Sequence, residues 1–302
     1  MASRKIVVFG VTGIQGASVA KALLADTENK WDVVGITRDP ASKGSKAVAD
    51  LGVTLAQGDL DDPASYAPAL AGAYGAFINA NFWANYKGDA APAKATEIRQ
   101  CSGAVDAALA AGVKHIVYSA LESFAPAQEL PHFDSKAEVV AYLKKLNAPA
   151  TPLYTAYYYS NVFMSAKGAV LDLPIPEDAV IPAFDAGQIG LWARAAFRDP
   201  AKWIGKDMYA AGENITAKQI AAVLSQVAGH EVRPLNYTRE QFLELDKNGA
   251  LDHEIWLNYL AIVEDRWHRD VKASREIAPD AWDFKTWAEN NAAAIKEHFV
   301  AA

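Results

Sequence analysis

Apolar and polar positions along this chain follow two alternating periods. Short apolar runs at Ile6–Phe9, Val33–Thr37, Val53–Leu55, Gly75–Ile78, Ile116–Ser119 and Leu153–Tyr157 have the length and side-chain type of buried strands. Between them, residues 14–25, 41–51, 63–71, 92–111 and 134–147 carry helical spacing. Strands and helices alternating at this pitch predict βαβ units and a parallel sheet covered on both faces. In such sheets ligands sit beyond the carboxyl ends of the strands, so chemistry is sought just after each run. Past residue 160 the rhythm breaks, and Pro174, Pro176 and Pro182 punctuate a loop-rich stretch. Helical patterns return near 186–198, 216–228, 254–265 and 284–298, the second opening on a Thr216/Gln219 capping box and closing at Gly229.

The junction between the first strand and the first helix carries the strongest chemical signal. Gly10, Gly13 and Gly16 follow the strand at three-residue spacing, and Val19, Leu23 and Leu24 then take up helical phase. The first glycine permits a tight turn, the second lets backbone approach a pyrophosphate, and the third lets the helix pack against the strand. A helix N-terminus there offers unpaired N–H groups and partial positive charge. The loop and first turn, Gly10, Thr12, Gly13, Ile14, Gln15 and Gly16, are therefore candidate dinucleotide contacts. The fold class expected is α/β, a Rossmann doubly wound parallel sheet with a smaller mixed, mainly helical C-terminal lobe. Residues 1–160 are expected to form the NADP(H)-binding core, and residues 161–302 a substrate or partner lobe interleaved with it.

The second strand ends in Thr37-Arg38 where an acidic residue would hold the ribose 2′-OH of NAD. Arg38 suits a 2′-phosphate, since a guanidinium offers several charge-assisted hydrogen bonds, and Lys43 follows closely. Asp39 precedes Pro40 and is expected to point away on the turn. NADP(H) is thus the expected cofactor.

The segment VFGVTGIQGASVAKALL, with TRDP at 37–40, GDLDD at 58–62, NFW at 81–83, YSALES at 118–123 and HFDSK at 132–136, resembles the NmrA-like family of atypical short-chain dehydrogenase/reductases. That family holds both reductases and NADP(H)-sensing regulators. The resemblance implies that Asp59 and Leu60 lie beside the adenine, while Asp61 and Asp62 read as the start of the next helix. Asn81 and Phe82, just after the fourth strand, complete the cofactor candidates.

In short-chain dehydrogenases a Ser at a strand end polarises the acceptor, and a Tyr and a Lys four residues later share one helix face. Here Ser119 ends a strand and Lys136 takes the place of the Lys, but His132 stands where the Tyr is expected. Lys136 is expected at the nicotinamide ribose. His132 is read either as a donor to the developing alkoxide or as a structural residue at a helix start. Tyr154, Tyr157, Tyr158 and Tyr159 occupy the sixth strand and its exit, where they suit a pocket for a flat or aromatic acceptor, and Tyr157 is a candidate to supply the missing proton. Two functions follow: an NADPH-dependent reductase of a carbonyl, imine or quinone-like small molecule, or a non-catalytic redox sensor acting on a regulatory protein partner.

Bulk properties narrow the rest. The 302 residues carry a net charge of −7, which argues against nucleic-acid binding, as no basic face is available to neutralise phosphates. The MASRK start lacks the apolar core of a signal peptide, and no apolar run reaches the roughly 20 residues of a membrane span. Cys101 is the sole cysteine, so neither an internal disulfide nor a cysteine-based zinc site is expected, and no metal is assigned. A reducing compartment, cytoplasmic or nuclear, is expected.

Overall fold

The computed structural model describes residues 3–301. Met1 and Ala2, which open the N-terminal stretch read above, lie outside the described residues. The first half alternates as its periodicity demands: β1 (Arg4–Val8), α1 (Ile14–Leu24), β2 (Trp31–Thr37), α2 (Lys43–Ala49), β3 (Thr54–Gln57), α3 (Pro63–Leu70), β4 (Gly75–Ile78), α4 (Phe82–Asn85), α5 (Ala90–Ala110), β5 (His115–Ala120), α6 (Pro131–Lys145) and β6 (Ala150–Tyr154). Then come β7 (Tyr157–Tyr158), β8 (Ala166–Lys167), β9 (Val170–Leu171), β10 (Val180–Phe184), α7 (Gly190–Arg198), α8 (Pro200–Trp203), β11 (Met208–Tyr209) and β12 (Glu213–Thr216). The last stretch is α9 (Ala217–Ala228), β13 (Arg233–Pro234), α10 (Arg239–Lys247), α11 (His253–Val263), α12 (Val271–Ile277), α13 (Phe284–Asn290) and α14 (Ala292–His298).

The described chain forms two units. Of the described residues, one takes 3–123, 131–155 and 186–209; the other takes 124–130, 156–185 and 210–301. In the first unit seven strands form one sheet in the order β11-β6-β5-β4-β1-β2-β3, all paired parallel. The order reverses direction at β1 and β4, which makes their carboxyl ends the switch point where doubly wound sheets bind ligands. Val7, Phe9, Ile78, Ile116 and Tyr118 are buried on the face that α3, α5 and α6 cover with Tyr66, Cys101, Val105, Val139 and Leu143. Phe9 and Tyr66 meet edge to face with ring centres 5.0 Å apart. On α1, Ser18 Oγ accepts from the backbone N–H of Gly190 at 2.9 Å, so α7 joins this unit although it follows the sixth strand by many residues.

The helix starts are chemically specified. Asp62 caps α3, Asn81 caps α4 and Asp89 caps α5, each side-chain oxygen accepting from a backbone N–H two residues on. The second unit holds two small sheets, β12-β10-β7 and β13-β9-β8, with helices α9 to α14. Its excursion Phe124–Leu130 is tied to its own unit: Gln128 Nε2 donates to Leu257 O at 2.6 Å, and Arg266 Nη1 donates to Gln128 Oε1 at 3.0 Å.

The sixth strand differs from the run read in the sequence. It stops at Tyr154, and Tyr157 and Tyr158 form a separate strand paired with Ala183 and Phe184 of β10 in the second unit. Helix 284–298 is also divided, with Asn291 ending α13 and beginning α14. No helix among the described residues is long and apolar enough to cross a membrane.

Candidate functional site

The glycine turn follows from local sterics. Gly10 has φ +64°, a conformation that L side chains rarely adopt, and Gly13 N–H donates to Gly10 O at 3.0 Å to close the turn. A Cβ on Gly16 would meet Gly10 O at 2.3 Å, whereas a Cβ on Gly13 would find only Gly10 O at 3.4 Å. Gly16 is therefore a packing glycine, and Gly13 is exposed with space in front of it. Gly13 is the N-cap of α1 and brings no side-chain cap to the start of the helix. Thr12 and Ile14 are exposed beside it, while Gln15 is buried. The methyl group of Thr12 also neighbours Gly44, which brings the start of α2, and with it exposed Lys43, to the glycine turn.

At the ends of β2 and β3, Arg38, Gln57, Gly58, Asp59 and Ser65 line a cleft of about 320 Å³. Arg38 is exposed, and its backbone carbonyl accepts from Gln57 Nε2 at 3.2 Å. Behind it the Thr37 and Ser45 hydroxyls lie 2.9 Å apart and Ser45 Oγ donates to Asp39 O, which fixes the turn carrying the guanidinium. Asp39 faces its own turn, accepting from Ala41 N at 2.9 Å. Asp59 N donates to Ser65 Oγ at 2.9 Å, and Leu60 is half-buried next to it. Asp62 caps α3 as its position implied, but Asp61 accepts from Arg99 and Gln100 of α5 instead, and these hydrogen bonds hold its carboxyl below the usual range.

Ser119 is the penultimate residue of β5, and His132 and Lys136 lie on α6 four residues apart. Ser119 Oγ is buried and has no hydrogen-bond partner among the described residues. A buried hydroxyl without a partner costs free energy unless something else bonds it. His132 packs in an aromatic cluster. Its ring centre lies 5.0 Å from Trp83, 5.8 Å from Phe82 and 4.8 Å from Phe133, with Phe82 stacked on Tyr86. Trp83 is 41% exposed and turns an aromatic surface outward, while Phe82 is buried and Asn81 is exposed at the α4 cap. Lys136 is buried and its Nζ donates to Glu97 Oε1 at 3.0 Å; Ser135 Oγ donates to the other oxygen, Oε2. Ser123 Oγ donates to Asp134 Oδ1 at 2.6 Å, joining the end of the β5 loop to the first turn of α6.

Tyr157 lies in the second unit, not on the sixth strand. Its hydroxyl is buried beside that of Tyr259, and burial pushes it well above the ordinary phenol range. Tyr154 stays in the first unit, stacked on Tyr209 at 4.8 Å, and Tyr159 donates to Glu213 Oε1. Glu97 was missed in the sequence, although a signal existed. It falls on the stripe Ala93, Glu97, Cys101, Ala104, Ala108, all buried on α5, where a carboxylate has no reason to be unless a cation meets it.

A sequence model of the NmrA-like family matches residues 2–278. An NmrA-like family domain-containing oxidoreductase, lnbB, from Aspergillus flavus is 28% identical, with 91% of this chain and 88% of the relative covered. Among solved structures, NmrA, a negative transcriptional regulator, in complex with NADP superposes with a TM-score of 0.78 at 20% identity over 98% of both chains. An NADPH-dependent quinone oxidoreductase from Escherichia coli gives 0.72 at 22% identity, with 94% of this chain and 98% of that one covered.

Proposed function

The chain belongs to the NmrA-like family, and from that premise we propose that it is an NADPH-dependent reductase of a carbonyl, imine or quinone-like acceptor. The observation that carries the reading is the buried, partnerless hydroxyl of Ser119 at the carboxyl edge of a doubly wound sheet. The dinucleotide fits the residues present. Gly13 leaves space for the pyrophosphate at the uncapped start of α1, with Thr12, Ile14, Gln15 and Lys43 around it. Arg38 takes the 2′-phosphate at the cleft that Asp59 also lines, and Leu60, Asn81 and Phe82 complete the cofactor contacts. When bound, the reduced nicotinamide supplies a hydride. Lys136 then donates to ribose hydroxyls, and Ser119 donates to the acceptor oxygen where negative charge develops. His132 or Tyr157 supplies the proton. Burial pushes the Tyr157 phenol well above its ordinary range, so it stays protonated.

A second reading is favoured by the packing of His132 among Trp83, Phe82 and Phe133, which explains that residue without catalysis. In it the protein is a non-catalytic NADP(H) sensor that acts through protein contacts, as a family containing a transcriptional regulator permits. One experiment separates the two. The protein is mixed with NADPH and a panel of aldehydes, imines and quinones while the nicotinamide absorbance is followed. Acceptor-dependent loss of absorbance supports the reductase. No loss with any acceptor, together with different protease-cleavage patterns in NADPH and NADP⁺, moves the assignment to the sensor.

A further inference from the structure

Lys136 is a cation in a nearly dry place. Its side chain is 11% exposed and that of Glu97 is fully buried. A buried lysine without a partner tends to shed its proton, because burial penalises the charged form. A neutral amine would be a poorer donor to ribose hydroxyls and would offer no charge at all. Glu97 removes that tendency, since its Oε1 takes the ammonium directly and its Oε2 is fixed by the Ser135 hydroxyl. Ser135 Oγ also lies 3.2 Å from His132 O, which anchors this carboxylate to the first turn of α6. The carboxylate comes from α5 and the ammonium from α6, so the pair fixes the register of the two helices as well as the charge.

We propose that Glu97 is the positioning residue that keeps Lys136 protonated and aimed, so that the cofactor meets a permanent ammonium at every physiological pH. Other titratable groups lie around the pair. Cys101, one turn along α5, has its thiol pushed up to about 12 by burial. Tyr118 on β5 is raised well above the ordinary phenol range for the same reason, so both stay neutral where proteins work. His132 and Asp134 are on α6 itself, and Asp134 is engaged by Ser123. Glu97 Oε1 meets the Lys136 ammonium at hydrogen-bond distance.

The proposal rests on the reading of Lys136 as a cofactor contact, yet the two can fail separately. The test is lysine side-chain NMR on the full chain, with the Lys136 signal assigned by its disappearance in Lys136→Met. In the unmodified protein the Lys136 ammonium should give a slowly exchanging NH₃⁺ cross-peak and a Cε shift that stays flat from about pH 6 to about pH 10. In Glu97→Gln, which keeps the shape and loses the charge, the Cε shift should titrate with a midpoint below about 9. NADPH affinity of that variant should fall roughly tenfold or more across the same midpoint, while Glu97→Asp stays flat. A Lys136 signal that remains flat in Glu97→Gln overturns the proposal. So does a neutral Lys136 amine in the unmodified protein, a result that stands whether or not Glu97→Gln folds. If the NMR behaves as expected but Lys136→Met binds NADPH unchanged, the proposal stands and the cofactor role of Lys136 falls.

Discussion

A methyl group on Gly16 would lie 2.3 Å from the carbonyl oxygen of Gly10, closer than any real Cβ contact. Gly13, midway between them, has no such neighbour. The same motif thus holds two different requirements, and they can be separated. Gly16→Ala should destabilise the fold by roughly 1–3 kcal/mol through overpacking. Gly13→Val should leave the melting temperature nearly unchanged and abolish NADPH binding. Thermal melts by circular dichroism and a nucleotide titration check both halves; binding retained by Gly13→Val would place the pyrophosphate elsewhere.

Arg38 is exposed at the rim of its cleft, and a turn held by Ser45 and Thr37 sets its direction. Arg38→Ala should weaken NADPH by about tenfold to a hundredfold, the effect of losing a charge-assisted contact of roughly 1.5–3 kcal/mol. NADH affinity should hardly move. Calorimetry with both nucleotides decides it, and equal affinities in the unmodified protein would remove Arg38 from the 2′-phosphate. Because the guanidinium is exposed, the NADPH preference should also shrink as salt is added.

His132 and Tyr157 are the two candidates for the proton-donor role. His132→Phe keeps a ring within the cluster of Trp83, Phe82 and Phe133 while removing the imidazole nitrogens. Tyr157→Phe removes a buried hydroxyl whose neighbour is Tyr259. Steady-state kinetics with an acceptor from the panel should show lower kcat in one variant, with the KM for NADPH unchanged. Full turnover in both would mean that neither donates the proton.

A stability prediction comes from His115, at the opposite end of β5 from Ser119. Thr151 Oγ1 donates to Trp203 O at 2.8 Å, so it accepts from His115 Nε2–H, which leaves Nδ1 bare in the core. Burial holds this imidazole down to about 4 from an ordinary 6.5. Above pH 6.5 both folded and unfolded states are neutral here. As pH falls from 6.5 towards 4 the unfolded chain takes up a proton that the folded one refuses, so stability is lost across that window. The loss should reach about 3 kcal/mol at its lower end. Urea unfolding at several pH values, compared with His115→Gln, isolates this share; identical pH slopes in the two proteins would exclude it.

Much of this architecture was legible in the sequence because strands and helices alternate with distinct periods. Ile6–Phe9 and Gly75–Ile78 bury both faces and could hardly be anything but central strands. The end of β6 was not legible. Leu153 to Tyr159 is apolar or aromatic at every position but Thr155, itself a strand former, and period alone cannot say where a chain leaves one sheet for another. The short helix α10 escaped notice although Thr238 and Gln241 form a full capping box, because its apolar face is only Phe242 and Leu245 within a mostly charged body. At the candidate site, the glycines, Arg38, Ser119 and Lys136 were visible as residues at motif spacing. The partner of Lys136 was not, because Glu97 lies 39 residues away on another helix and pairwise contacts at that distance leave no trace in local pattern.

The strand order has a consequence for how this protein is made. β11, at Met208–Tyr209, pairs with β6, so the sheet cannot be completed until Tyr209 has emerged from the ribosome. Until then β6 is a bare edge, with open N–H and C=O groups able to recruit a wrong strand. About 55 residues separate Tyr154 from Tyr209, which at roughly 5–20 residues per second leaves that edge open for several seconds. Gln128 waits longer still, since its partners Leu257 and Arg266 are among the last to be synthesised. Nascent chains stalled before residue 209 therefore lack the β11 cover over Leu153 and Tyr154, and chaperone demand should rise while the segment between β6 and β11 is being translated.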